Sequence, residues 1–107
     1  MNGRIVRLWQ ARAPQAAIDA WFAGYQEKVL PRMRSIDGCS GVSVQVSDTA
    51  DPRTLSVLTY WDSAEAMAEF VGPDRDEAVM PEWVAQLLPD HDGFATHSVE
   101  MLEEDFR

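Results

Sequence analysis

The stretch Val42-Ser43-Val44-Gln45-Val46 alternates β-branched apolar residues with polar ones. After the polar run Asp48-Thr49-Ala50-Asp51-Pro52, the alternation resumes, with Leu55, Val57, Thr59 and Trp61 on one parity and Ser56, Leu58 and Tyr60 on the other. A period of two is the signature of a strand with one buried face, and the connection has hairpin length. The middle of the chain therefore predicts an antiparallel hairpin, and the flanking segments are read against it.

On the N-terminal side, Arg4 to Arg12 reads as a strand, with Ile5, Arg7, Trp9 and Ala11 on one face and Val6, Leu8 and Gln10 on the other. Pro14 suits the first turn of a helix, where its missing N–H costs nothing. Ile18, Trp21, Phe22, Tyr25 and Val29 follow as one apolar stripe at helical spacing. Pro31 is expected to kink or end this helix near Leu30, and Asp37-Gly38 marks a turn.

On the C-terminal side, Asp62 with Glu65 three residues on has capping-box spacing and opens a second helix, whose apolar face is Met67, Phe70 and Val71. Gly72-Pro73 stops it. Asp74 to Pro81 is irregular, Trp83, Val84, Leu87 and Leu88 suggest a short helix ended by Pro89, and Asp90-His91-Asp92-Gly93 reads as a turn. Phe94 to Leu102 is the last strand, with Ala95, His97, Val99 and Met101 on one parity, and Glu103-Glu104-Asp105 is a solvated tail. The order β-α-β-β-α-β predicts an α+β, ferredoxin-like fold: a four-stranded antiparallel sheet with both helices on one face. Apolar side chains on both parities of the strands leave the other face in need of cover, and two-fold self-association into a homodimer is the simplest cover.

The 107 residues fit one domain, spanning 1–107, and 46% hydrophobic with 25% charged residues is globular composition. Nine Lys and Arg against 18 Asp and Glu leave a formal net charge of −9. Such a surface repels phosphate backbones and anionic lipid, which argues against nucleic-acid and membrane partners. No apolar run approaches the ~20 residues of a membrane span. Met1-Asn2-Gly3-Arg4 leads into a segment that Arg7 interrupts, with no signal-peptide pattern, and the single Cys39 has no intrachain partner. Together these place the protein in the cytoplasm.

Five residues are candidates for chemistry. His97, flanked on its own face by Ala95 and Val99, points inward as a general base, or else as a buried structural histidine. Arg7 is aimed where apolar groups go and needs a partner, either a carboxylate such as Glu100 or a substrate oxyanion. Trp9 is an aromatic wall, and Trp83 lies in the short helix that could roof a pocket. Tyr60 faces either a pocket or a dimer interface. Trp21 and Trp61 read as core packing, and His91 as a solvated turn residue. No metal site, phosphate loop or dinucleotide fingerprint stands out, so no cofactor is expected.

The stretch Thr59-Tyr60-Trp61-Asp62-Ser63-Ala64-Glu65-Ala66-Met67-Ala68-Glu69-Phe70 resembles the strand-to-helix signature of the antibiotic biosynthesis monooxygenase family. Leu30-Pro31, the turn before Gly41-Val42, Ala78-Val79 and His97 extend the resemblance along the chain. It implies a dimeric α/β barrel. The haem-degrading members of that family use an Asn on strand one, a Trp in helix two and a later His. Phe70 and Met80 stand at the last two positions and strand one has no Asn, so haem degradation is not implied. The resemblance instead implies cofactor-independent oxygenation of a small aromatic or polyketide-type substrate by dioxygen. The same scaffold could also serve as a non-catalytic dimeric binding module, or as an isomerase or cyclase.

Overall fold

The computed structural model describes residues 3–49 and 51–107. Met1 and Asn2 of the N-terminal reading, and Ala50 of the polar connection, lie outside the described residues.

Strand β1 (Ile5–Ala13) runs through the middle of the sheet, paired antiparallel with β3 (Arg53–Trp61) over its whole length, from Ile5↔Trp61 to Ala13↔Arg53. On the far side of β3 lies β2 (Cys39–Val46), closing the hairpin with Val44 opposite Val57. The other edge of β1 takes two short strands, β4 (Asp90–His91) and β5 (Thr96–Val99). The spatial order is β2-β3-β1 and then β4 and β5, all antiparallel.

Four helices cover one sheet face: α1 (Gln15–Lys28), α2 (Leu30–Arg34), α3 (Ala64–Val71) and α4 (Glu82–Leu87). Inward residues Trp9, Ala11, Ala13, Leu55, Val57 and Trp61 pack with Ile18, Trp21, Tyr25, Met33, Met67, Val84 and Leu88 in one core. This is the ferredoxin-like α+β arrangement. Of the two faces that strand one offers in sequence, the one with Arg7, Trp9 and Ala11 is buried beneath the helices.

Local details depart from the sequence reading. The break expected near Leu30 falls at Val29. The first helix stops at Lys28, and Pro31 sits in the first turn of α2, where it lacks no bond. The N-cap of α3 is Ser63, whose hydroxyl accepts from the Ala66 amide at 3.1 Å, rather than Asp62. Phe22 lies off the buried stripe and is exposed. His91 is not a turn residue, because Asp90–His91 pairs with Ala11 and Arg12 of β1. The last strand is shorter than Phe94–Leu102. Its pairing ends where Val99 meets Ile5, the first residue of β1, and the Glu100 amide closes the ladder on the Arg4 carbonyl at 2.8 Å. Val99, Met101 and Leu102 are left exposed.

Candidate functional site

Between α1, α4 and the sheet is a cavity of about 180 Å³. Its floor is β1 and β3, which contribute Arg7, Trp9, Val57 and Thr59. Trp21 and Tyr25 descend from α1, Phe70 comes from α3, and Trp83 and Val84 come from α4. Alternation on the strands puts the floor residues under the helices, and the spacing Trp21, Tyr25, Lys28 puts one stripe of α1 over them. Close approach of α4 is permitted by Gly24, where a Cβ would stand 2.6 Å from the Trp83 ring.

Among the described residues, the charged groups that line this cavity are Arg7, Lys28 and Arg32, with no carboxylate. In a chain of net charge −9 that is a strong local reversal of sign. The Lys28 ammonium lies 4.7 Å from the centre of the Trp83 ring, and the Arg32 guanidinium 5.1 Å from that of Phe70, so both rim cations rest on aromatic faces. Arg7 is 6% exposed. Its Nη2 donates to the Glu77 carbonyl at 2.8 Å, while its Nε is buried without a partner among the described residues. Burial pushes its proton affinity down, with Asp76 opposing. Glu100, the carboxylate suggested by sequence, pairs instead with Arg4 through two bonds of 2.9 Å.

The other candidates divide. Trp9 is held by its indole N–H, which donates to the Asp92 carbonyl at 2.8 Å, and it lines the cavity together with Trp83. Tyr60 does not reach it. It lies on the opposite sheet face, with the Arg4 guanidinium 4.7 Å over its ring. His97 points inward, opposite Arg7 in the β1–β5 register, but it is not part of the cavity wall. Its side chain is 5% exposed, Nδ1 is 3.4 Å from an Asp76 carboxylate oxygen, and Nε2 is buried without a partner. Burial lowers its pKa, as do Arg75 and Arg7, against the raising effect of Asp76. His91 is also anchored, with Nδ1 at 2.6 Å from the Leu88 carbonyl.

Sequence reasoning missed Tyr25, Lys28 and Arg32 as lining residues. A signal existed in their spacing after Trp21, which carries aromatic and then basic residues down one side of α1 into α2. The Tyr25 hydroxyl lies 3.3 Å from the Met33 sulfur, and burial pushes its pKa up to about 12, so it stays protonated.

No family model matches the chain. Two curated relatives from Mycobacterium tuberculosis, the uncharacterized proteins MT2635 (strain CDC 1551 / Oshkosh) and Rv2558 (strain ATCC 25618 / H37Rv), are each 33% identical to it over 96 residues, covering 76% of this chain and 40% of theirs. The chain thus spans well under half the length of these relatives. Among solved structures, a dimeric ferredoxin-like protein from an uncultured marine organism superposes with a TM-score of 0.64 at 7% identity, covering 97% of this chain and 100% of that one. Rv0793 from Mycobacterium tuberculosis superposes with a TM-score of 0.54 at 19% identity, covering 97% and 99%. These likenesses carry the fold: this chain folds as a ferredoxin-like α+β unit.

Proposed function

We propose that this chain is a cytoplasmic homodimeric protein of the antibiotic biosynthesis monooxygenase kind, whose helix–sheet cavity binds a small anionic aromatic molecule and presents it to dioxygen without a cofactor. The observation that carries this reading is the lining itself: aromatic and aliphatic walls around three cations and no carboxylate. Apolar walls with a few convergent polar groups are the usual make-up of a small-molecule site. The low dielectric around Arg7 strengthens its attraction for a phenolate or enolate oxygen.

The chemistry follows from those parts. An acidic phenol or anthrone lies flat against Trp9 and Trp83 with its ionised oxygen on Arg7. The electron-rich carbanion gives one electron to dioxygen, and the radical pair recombines at carbon. The resulting peroxide anion takes a proton from solvent, and loss of water then turns the ring CH2 into a carbonyl, so that one oxygen atom enters the product and the other leaves as water. Arg7 holds the negative charge throughout, and the aromatic walls keep bulk water from the carbanion. Among the described lining residues there is no histidine and no carboxylate to serve as a general base. The cavity therefore suits a substrate acidic enough to arrive ionised.

That same lack of a base on the wall favours a second reading, a dimeric binding module that carries an aromatic anion without changing it. Stirring the protein with 1,8-dihydroxyanthrone in air separates the two. Oxygen uptake with growth of the quinone absorbance, reduced about 100-fold or more in Arg7→Gln, supports the oxygenase. Saturable binding with no uptake above the uncatalysed rate leaves the binding module. Absence of binding overturns both.

A further inference from the structure

Two buried polar nitrogens lack partners among the described residues, and they belong to neighbouring side chains: Arg7 Nε and His97 Nε2. Arg7 and His97 face each other across β1 and β5 on the helix-covered side of the sheet. Directly opposed residues of an antiparallel pair hold their Cβ atoms ~4.5–5.5 Å apart. Only Arg7 reaches the cavity, so His97 stands behind the residue that meets the ligand. Orphaned buried donors and acceptors are uncommon because each forfeits its hydration. Two together, on a cation and an imidazole, mark a place built for charge that arrives from outside.

We propose that His97 is a positioning residue whose proton uptake is coupled to anion binding on Arg7, so that the cavity takes up its aromatic anion together with a proton. This inference rests on the anion-binding reading of the cavity and adds the behaviour of a residue outside its wall. The groups facing His97 are Arg7 from β1 and Arg75 and Asp76 from the irregular segment between α3 and α4. An Asp76 carboxylate oxygen 3.4 Å from Nδ1 draws the neutral ring's proton to that nitrogen, which leaves Nε2 as a bare lone pair. In the empty protein a proton on Nε2 would create an N–H with no acceptor, beside the positive charge of Arg7. An anion seated on Arg7 cancels that charge, and the proton then becomes favourable. By linkage, whatever raises the proton affinity of His97 on binding makes the anion bind more tightly as pH falls.

The sign and size are specific. For a ligand of fixed charge, affinity should be weakest near pH 8 and rise as pH falls through the His97 pKa, by about tenfold for each unit by which the ligand raises that pKa. His91, on β4 beside Trp9, is the remaining histidine to be controlled.

The test uses 2-naphthalenesulfonate, whose charge does not change between pH 5 and about 8, since sulfonates are far stronger acids than the side chains involved. Isothermal titration at pH 6 in buffers of different ionisation enthalpy counts the protons taken up. The expected result is a substantial fraction of one proton per site, retained in His91→Gln and absent in His97→Gln. Should His97→Gln fail to fold, the His97 ring-proton NMR titration of the unmodified protein, run with and without the sulfonate, gives the same answer as an upward pKa shift on binding. Binding that weakens about tenfold or more in Arg7→Gln but carries no proton, with an unmoved His97 titration, overturns the coupling and leaves the anion site standing. Absence of binding, or binding indifferent to Arg7→Gln and Trp83→Ala, overturns the anion site and the coupling with it.

Discussion

Gly24 is the residue on which the geometry of the cavity turns most directly. It sits within α1, and a Cβ there would meet the Trp83 ring atoms Cζ3 and Cη2 at 2.6 and 3.1 Å. The Lys28 ammonium, one turn further along α1, lies 4.7 Å from the centre of the same ring. In an open helix interior, Gly→Ala stabilises by about 1 kcal/mol through helix propensity. Here the added methyl displaces a ring that lines the cavity, and overpacking costs ~1–3 kcal/mol. The second effect is the larger. Gly24→Ala is therefore expected to lower the urea midpoint, with a net loss on the order of 1 kcal/mol, and to weaken naphthalenesulfonate binding. A raised midpoint with unchanged binding would show that Trp83 moves aside freely.

At the scale of elements, the cap of α3 supplies a clean test. Ser63 Oγ accepts from the Ala66 amide at 3.1 Å, whereas Asp62 donates its own amide to the Gly38 carbonyl at 2.7 Å and belongs to the end of the strand. Ser63→Ala should cost about 1 kcal/mol in denaturant unfolding and Asp62→Ala markedly less. The reverse order would restore Asp62 as the cap. The same comparison shows what a sequence can reveal. Both Asp62 and Ser63 are competent caps, and only the backbone path through Trp61 chooses between them. Element order and the alternation of each strand were legible because Val42–Val46 and Ile5–Ala11 repeat one period over several residues. Tyr60 was not, since Leu58 and Tyr60 are as apolar as the Leu55, Val57 and Trp61 set, and burial alone decides which parity faces the helices. Pro31 marked the break between α1 and α2, because a proline that closes one helix and one that opens the next carry the same signal. Arg7 and Trp83 could be singled out as a buried charge and an aromatic in a short helix. Their meeting in one cavity depends on the close passage of α1 and α4, which no local pattern encodes.

For the molecule as a whole, the uncovered sheet face sets the strongest demand. Leu8 and Leu58 are register partners in the middle of the β1–β3 pair, on the side away from the helices, with Val6 and Tyr60 next to them. Burying each such side chain fully contributes ~1.5–3 kcal/mol, and a two-fold contact brings every one of them twice. That sum competes with an association cost of ~4–15 kcal/mol, which a face of several large apolar residues can exceed. The net charge of −9 opposes pairing, but its carboxylates are largely exposed and are screened beyond ~8 Å at physiological salt. Homodimerisation through this face should therefore strengthen as salt is added, the opposite of an interface held by ion pairs. Sedimentation equilibrium at micromolar concentration is expected to give a dimer in the unmodified chain, and a shift toward monomer in Leu8→Glu/Leu58→Glu, which sets two carboxylates side by side on the face. Because both substitutions point away from the cavity, naphthalenesulfonate binding should change little in the double variant if each protomer's site is self-contained. A mass near 12.0 kDa for the unmodified chain would remove the dimer and the two-protomer barrel with it.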